Sequence, residues 1–133
     1  MTPLIRNLIA CILTLATTGC LAPHVILDRG VIRNETQTTI SDVMVRHEPT
    51  GKTAQINLIL PSRSFDLGFS GQPMLGRYAI ITGRDVDGHE RREELDLPYN
   101  RVLKTEAKNM TLVYTIHSSG RVSVNLQDLD ARK

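Results

Sequence analysis

The chain has no tryptophan, two phenylalanines and three tyrosines among its 133 residues, and its two cysteines both lie within the first 20. Proteins that bind sugars or single-stranded nucleic acid usually present aromatic platforms. A chain this poor in aromatic residues is not built for either task. Because Cys11 and Cys20 are the only thiols, the sequence beyond them offers no disulfide and no thiolate zinc site. Charge of one sign is missing too: 16 Lys and Arg stand against 14 Asp and Glu, a formal net charge of +2. Phosphate binding relies on a net positive field, so nucleic acid is not expected as a partner. There is no internal repeat and no low-complexity tract.

What is present begins with an apolar leader. Arg6 is the only charged side chain of residues 1–19, residues 8–16 are apolar apart from Thr14, and the small residues Thr17, Thr18 and Gly19 follow. These are the three parts of a secretory signal. Nine residues cannot cross a hydrocarbon core of ~30 Å, which needs about 20, so no permanent transmembrane helix is expected. The run Leu15-Ala16-Thr17-Thr18-Gly19-Cys20 resembles the lipobox of bacterial lipoproteins, with Thr17 where the pattern usually carries Leu. The resemblance implies a diacylglyceryl group on the Cys20 thiol, cleavage before Cys20, and acylation (palmitate) of the new amino terminus. Two or three chains hold firmly where one does not, since each buried CH₂ contributes ~0.8 kcal/mol. Leu21, rather than Asp, follows the cysteine. By the sorting rule of enteric lipoproteins, this implies the inner leaflet of the outer membrane, facing the periplasm.

The expected organisation is a cleaved leader at 1–19, a lipidated tether at 20–23 and one domain at 24–133. Without the leader, 114 residues remain with a balance of +1. That is enough for one domain and too few for two. Such a chain buries about two-thirds of its unfolded surface, so an independent core is feasible.

Short alternating runs, punctuated by turn residues every ten or so positions, indicate an all-β domain. A first strand over 25–33 is expected to bend at Asp28-Arg29-Gly30. A second spans 40–48, with Val43, Val45 and His47 on one face and Asp42, Met44 and Arg46 on the other. The turn Glu48-Pro49-Thr50-Gly51 leads to 53–60, where Ala54, Ile56, Leu58 and Leu60 alternate with Gln55 and Asn57. After a Gly-, Ser- and Pro-rich stretch with at most a short strand near 65–69, segments 77–82 and 90–97 form a hairpin across Asp85-Val86-Asp87-Gly88, an Asp-Gly turn. A last hairpin runs through Leu112, Tyr114 and Ile116, turns at Ser118-Ser119-Gly120, and returns through Val122, Val124 and Leu126. Residues 101–108 offer a helical turn or two, with Arg101, Lys104 and Lys108 on one face. Seven or eight such strands fit a small antiparallel two-sheet sandwich of immunoglobulin-like architecture, without the Cys-Trp-Cys core. A small β-barrel is the alternative.

No catalytic constellation is evident. The four histidines are scattered and no serine lies in a Gly-x-Ser-x-Gly elbow. His47, on an inward-reading face, is expected to be a satisfied core residue. Asp85-Val86-Asp87-Gly88-His89-Glu90 begins like a calcium loop but lacks the third acid and the bidentate Glu at loop position twelve, so no metal or other cofactor is expected. The mixed charges Glu90-Arg91-Arg92-Glu93-Glu94 suit an exposed edge strand guarded against pairing. Phe65, Leu67, Phe69, Met74 and Leu75 are unusually apolar for a loop. With Tyr99 they are the candidate docking patch for an envelope protein, weighed against a loop packing its own residues beneath itself. The sequence thus points to a non-enzymatic interaction or accessory module, held by Cys20 within ~10 Å of the bilayer by its three-residue tether. The alternative is a binder of a small ligand or cell-wall fragment using a pocket between the sheets.

Overall fold

The computed structural model describes residues 25–27, 29–69, 71, 73–98 and 110–128. Cys20, the tether, Asp28, Tyr99 and the segment 101–108 lie outside the described residues. Every regular element among the described residues is a strand. They are β1 (Val25–Ile26), β2 (Arg29–Asn34), β3 (Ile40–Glu48), β4 (Thr53–Ile59), β5 (Ser64–Asp66), β6 (Met74–Leu75), β7 (Tyr78–Arg84), β8 (Glu90–Asp96), β9 (Thr111–Ile116) and β10 (Val122–Gln127). Ten strands replace the expected seven or eight for two reasons. The first strand divides into β1 and β2, which join different sheets, and the Pro- and Gly-rich stretch adds β6 as well as β5.

Two four-stranded sheets, ordered β10-β9-β2-β5 and β4-β3-β7-β8, enclose the core, and β1-β6 forms a two-stranded sheet beside them. The edges remain open, so this is a sandwich-like arrangement and not a closed barrel. The three long hairpins, β3-β4, β7-β8 and β9-β10, are antiparallel as their alternation dictates. One pairing departs from the antiparallel expectation: β2 runs parallel to β9, from Arg29 opposite Thr111 to Asn34 opposite Ile116. Burial of both faces of β9 follows its central place, and all six of its residues are buried.

The inward faces supply the core. Val43, Val45, Ala79 and Ile81 from one sheet meet Ile32, Leu112, Tyr114 and Ile116 from the other. In β4 the expected face changes partway along the strand. Ala54 and Ile56 point inward, but Ile59 is then fully buried while Leu58 and Leu60 are 48% and 46% exposed. The cause lies opposite, where Asp42 has φ of 51° and β3 carries an irregularity against β7 between Ser41 and Met44. An extra residue in a ladder turns every later side chain to the other face. Val43 pairs with Ile56 and Ile40 with Ile59, so both strands shift together and their register is kept.

The apolar loop residues also find their place here. Leu67 and Phe69 are buried and pack over Gly30, where a Cβ would lie 3.3 Å from Leu67 and 3.2 Å from Phe69. Gly30 itself keeps regular register with β9, so the glycine has a packing reason there. Chain entry into β7 is equally tight. Gly76 lies against the backbone of Glu48, and the Arg77 N–H donates to the Glu48 carbonyl at 2.7 Å.

Candidate functional site

Three loops meet at one end of the sandwich: the segment after β2, the β7-β8 turn and the β9-β10 turn. Between them lies a cleft of about 240 Å³. Its floor is apolar, formed by Ile40, Val43 and Ile81 of one sheet and Ile116 and Val122 of the other. Register sets the lining. On β7 and β8 the inward pairs are Ile81 with Glu93 and Gly83 with Arg91, and the absent side chain of Gly83 lets Ile40 and Val43 pack closely there, where an added Cβ would lie 3.3 and 3.4 Å from them. The rim is polar and carries Thr36, Thr38, Asp85, Arg91, Ser118 and Ser119.

Each rim group is positioned by a local device. Asn34, fully buried, donates its side-chain amide to the carbonyls of Thr38 (2.8 Å) and Ile59 (3.1 Å), and its Oδ1 accepts from Thr36 N (2.9 Å) and Thr36 Oγ1 (2.7 Å). One asparagine therefore shapes the Thr36–Thr38 side of the rim and ties it to the end of β4. Across the cleft, Asp85 Oδ1 accepts the backbone N–H groups of His89 (2.9 Å) and Asp87 (3.0 Å), while Arg91 lies 3.4 Å from Oδ2. Desolvation pulls the Asp85 pKa upward, but the two backbone donors, the nearby His89 and the Arg91 contact prevail and hold it below the usual carboxylate value. Asp85, Asp87 and His89 come close enough for their ligand atoms to share one ion. Asp85 already spends Oδ1 on the two N–H groups that build the turn and faces Arg91 with Oδ2.

Glu93 links the two sheets at their edges. Its Oε2 accepts the backbone N–H of Val122 at 2.8 Å, so the edge strand β8 of one sheet covers a donor on the edge strand β10 of the other. Arg91 and Glu93 share the cleft-facing side of β8, while Arg92 falls on the opposite side of the strand. The charge run expected to place charges on both faces does so, and the cleft-facing pair has a specific structural setting.

The other polar constellations lie elsewhere. His47 is fully buried between the sheets, with Nδ1 2.8 Å from the Met74 carbonyl and Nε2 2.6 Å from the Tyr114 hydroxyl. A carbonyl only accepts, so Nδ1 carries the proton and Nε2 accepts from Tyr114. This chain of two hydrogen bonds joins β9, β3 and β6, which belong to three different sheets. Burial lowers the His47 pKa and the Met74 contact opposes it only partly; burial likewise raises that of Tyr114. Both groups are therefore neutral at pH 7, as a satisfied core histidine requires. Glu35, His117 and Ser123 form a second relay: His117 Nε2 lies 2.7 Å from Ser123 Oγ, and Nδ1 lies 3.3 Å from Glu35 Oε2. The order of atoms is that of an acyl-transfer triad, yet none of the three lines the cleft, and His117 and Glu35 are 42% and 45% exposed. Ser123 lies within a regular strand, not on a strained turn. The relay ties the last hairpin to the segment after β2.

Of the residues expected to form a docking patch, Phe65 is exposed on β5 and Met74 is half-buried on β6. Leu67, Phe69 and Leu75 are core residues, and Phe69 packs against the His47 ring with centroids 4.9 Å apart and planes tilted by 40°. The five therefore do not make one surface, and Tyr99 lies outside the described residues. The sequence reading offered a pocket between the sheets as its alternative but did not place it, and it missed Asn34. Asn34 at a strand end, followed by Thr36 and Thr38, was the available local signal for a side chain that bonds its own loop.

No protein-family model matches the sequence, and no curated protein matches it. Among solved structures, the NMR structure of a protein from Eubacterium rectale is similar, with a TM-score of 0.46 and 15% identity, covering 76% of this chain and 90% of that one.

Proposed function

We propose that this protein is a lipid-anchored, non-enzymatic binding module of the bacterial envelope, and that its binding element is the cleft between the sheets. The observation that carries the proposal is the cleft itself, an apolar floor beneath converging polar groups, the usual character of a ligand site. The anchor rests on the lipobox-like run ending at Cys20, which resembles that of outer-membrane lipoproteins facing the periplasm. Two stacked four-stranded sheets support an immunoglobulin-like layout, in which loops at one end of a sandwich commonly carry recognition.

At about 240 Å³ the cleft is smaller than the ~300–1,000 Å³ of sites for drug-sized ligands. It suits a small molecule, or one side chain of a partner inserted as an anchor. The earlier candidate patch is a weaker choice, because Leu67 and Phe69 are committed to the core. The test is a screen of small amphiphiles against the isotopically labelled full chain in detergent micelles, read by amide chemical shifts. Binding is expected to move Gly83, Ser118, Gly120 and Val122 first. Hits that move only residues near Phe65 and Met74 would transfer the binding role to that face.

A further inference from the structure

Among the described residues, Glu93 is the charge in the cleft without an ion-pair partner. Asp85 and Arg91 face one another at 3.4 Å, so their charges offset locally. Glu93 is half-buried, engages the Val122 N–H through Oε2, and forms no ion pair with a cation among the described residues. Removing a carboxylate from water without a cation is costly, and that cost falls when a cation arrives. The second carboxylate oxygen is the natural acceptor, with the hydroxyls of Thr36, Thr38 and Ser118 around the same opening. Below it, Ile81, Ile116 and Val122 offer an apolar surface.

We propose that the cleft binds a primary ammonium group carried on a short apolar stem, the ammonium on Glu93 and the stem on the isoleucine and valine floor. This rests on the reading of the cleft as the binding element, and adds the chemical class of what it takes. Size and charge agree. The space accommodates a side-chain-sized group, and among the described residues the cleft's charged groups, Asp85, Arg91 and Glu93, sum to one negative charge. A charge-assisted hydrogen bond is about twice as strong as a neutral one, so the amine is distinguished from an alcohol of the same shape. The same chemistry arises from a free alkylamine or from a lysyl side chain on a peptide.

The experiment compares n-butylammonium with n-butanol on the labelled full chain in neutral-detergent micelles, following the amides of Gly83, Ser118 and Val122. A parallel arm compares Nα-acetyl-lysine methylamide with its norleucine counterpart, and the tighter of the two amines identifies the source. The expected result is binding in the millimolar range, with each amine preferred about tenfold over its neutral partner. Glu93→Gln retains an acceptor for the Val122 N–H and is expected to abolish the preference. Equal binding of amine and alcohol at the cleft amides overturns the amine assignment and leaves the cleft as the binding element. Silence of those amides towards every probe overturns both. A preference that persists in Glu93→Gln overturns the role of Glu93. If that variant does not fold, nuclear Overhauser contacts of the bound n-butylammonium on the unaltered chain decide the role of Glu93: contacts to the Glu93 side chain support it, and contacts to Asp85 without Glu93 overturn it.

Discussion

The buried hydrogen-bond chain through His47 makes a demanding prediction, because three sheets share it. Tyr114→Phe removes the donor to His47 Nε2 and leaves that nitrogen buried without a partner. His47→Leu keeps approximate volume but strands the Tyr114 hydroxyl and the Met74 carbonyl. Each orphaned buried group costs about 1–3 kcal/mol. Taking about 1.5 kcal/mol for each, the tyrosine variant should lose about 1.5 kcal/mol and the histidine variant about 3 kcal/mol. The double variant strands only the Met74 carbonyl and should lose about 1.5 kcal/mol. It is therefore expected to be about 3 kcal/mol more stable than additivity allows. Loss of the 4.9 Å tilted ring contact of His47 with Phe69 occurs in both the single and double histidine variants, so it cancels from the coupling. Urea unfolding midpoints at constant m-value supply all four free energies. Additivity within about 0.5 kcal/mol would show that the two side chains do not depend on one another.

Acid should weaken the fold through the same histidine. Its folded-state pKa lies below the ordinary 6.5, so the unfolded chain binds the extra proton, and stability is full above that value and falls as pH drops below it. Between about pH 7.5 and about pH 5.5 the loss attributable to His47 reaches up to about 1.4 kcal/mol. The difference between wild type and His47→Leu across that range isolates it, and a difference independent of pH would contradict the buried neutral state. Gly76→Ala places a methyl group against the Glu48 carbonyl oxygen and should cost about 1–3 kcal/mol by denaturation. Gly68→Ala, with nothing near its added methyl, should change stability by less than about 0.5 kcal/mol. Asn34→Ala strands buried partners and should cost about 2–4 kcal/mol. It should also speed amide hydrogen exchange at Thr36 and Thr38, while leaving the distant Asp96 unchanged relative to global stability.

Local alternation revealed most of the scaffold. The hairpins built on Asp87-Gly88 and Ser119-Gly120 sit where turn chemistry and period-two patterning place them, and His47 is the satisfied core residue its face implied. The inward face of β4 was not legible beyond Ile56. A left-handed Asp42 on the neighbouring strand shifts both strands, and nothing in 53–60 records an event across the ladder. The parallel partnership of β2 with β9 was hidden for a related reason, since alternation reveals a face and not a neighbour. Leu67 and Phe69 read as surface candidates because their segment looks like a loop; Gly30, nearly 40 residues earlier, opens the space they fill. The cleft was least legible of all. Thr36, Gly83, Glu93 and Ser118 acquire a common role only when three loops converge, and the expected Asp85-Val86-Asp87-Gly88 turn gains a second role as part of the rim.

The reading of this protein as a binding domain held at a membrane depends most directly on Cys20. Fractionation of cells expressing the wild type and Cys20→Ser, with the intact mass of each purified product, tests it. The wild type should sediment with membranes and begin at a cysteine bearing two or three acyl chains, whereas the serine variant should lose both the added mass and the membrane association. Identical fractionation of the two proteins, with no lipid mass on Cys20, would contradict the lipid anchor.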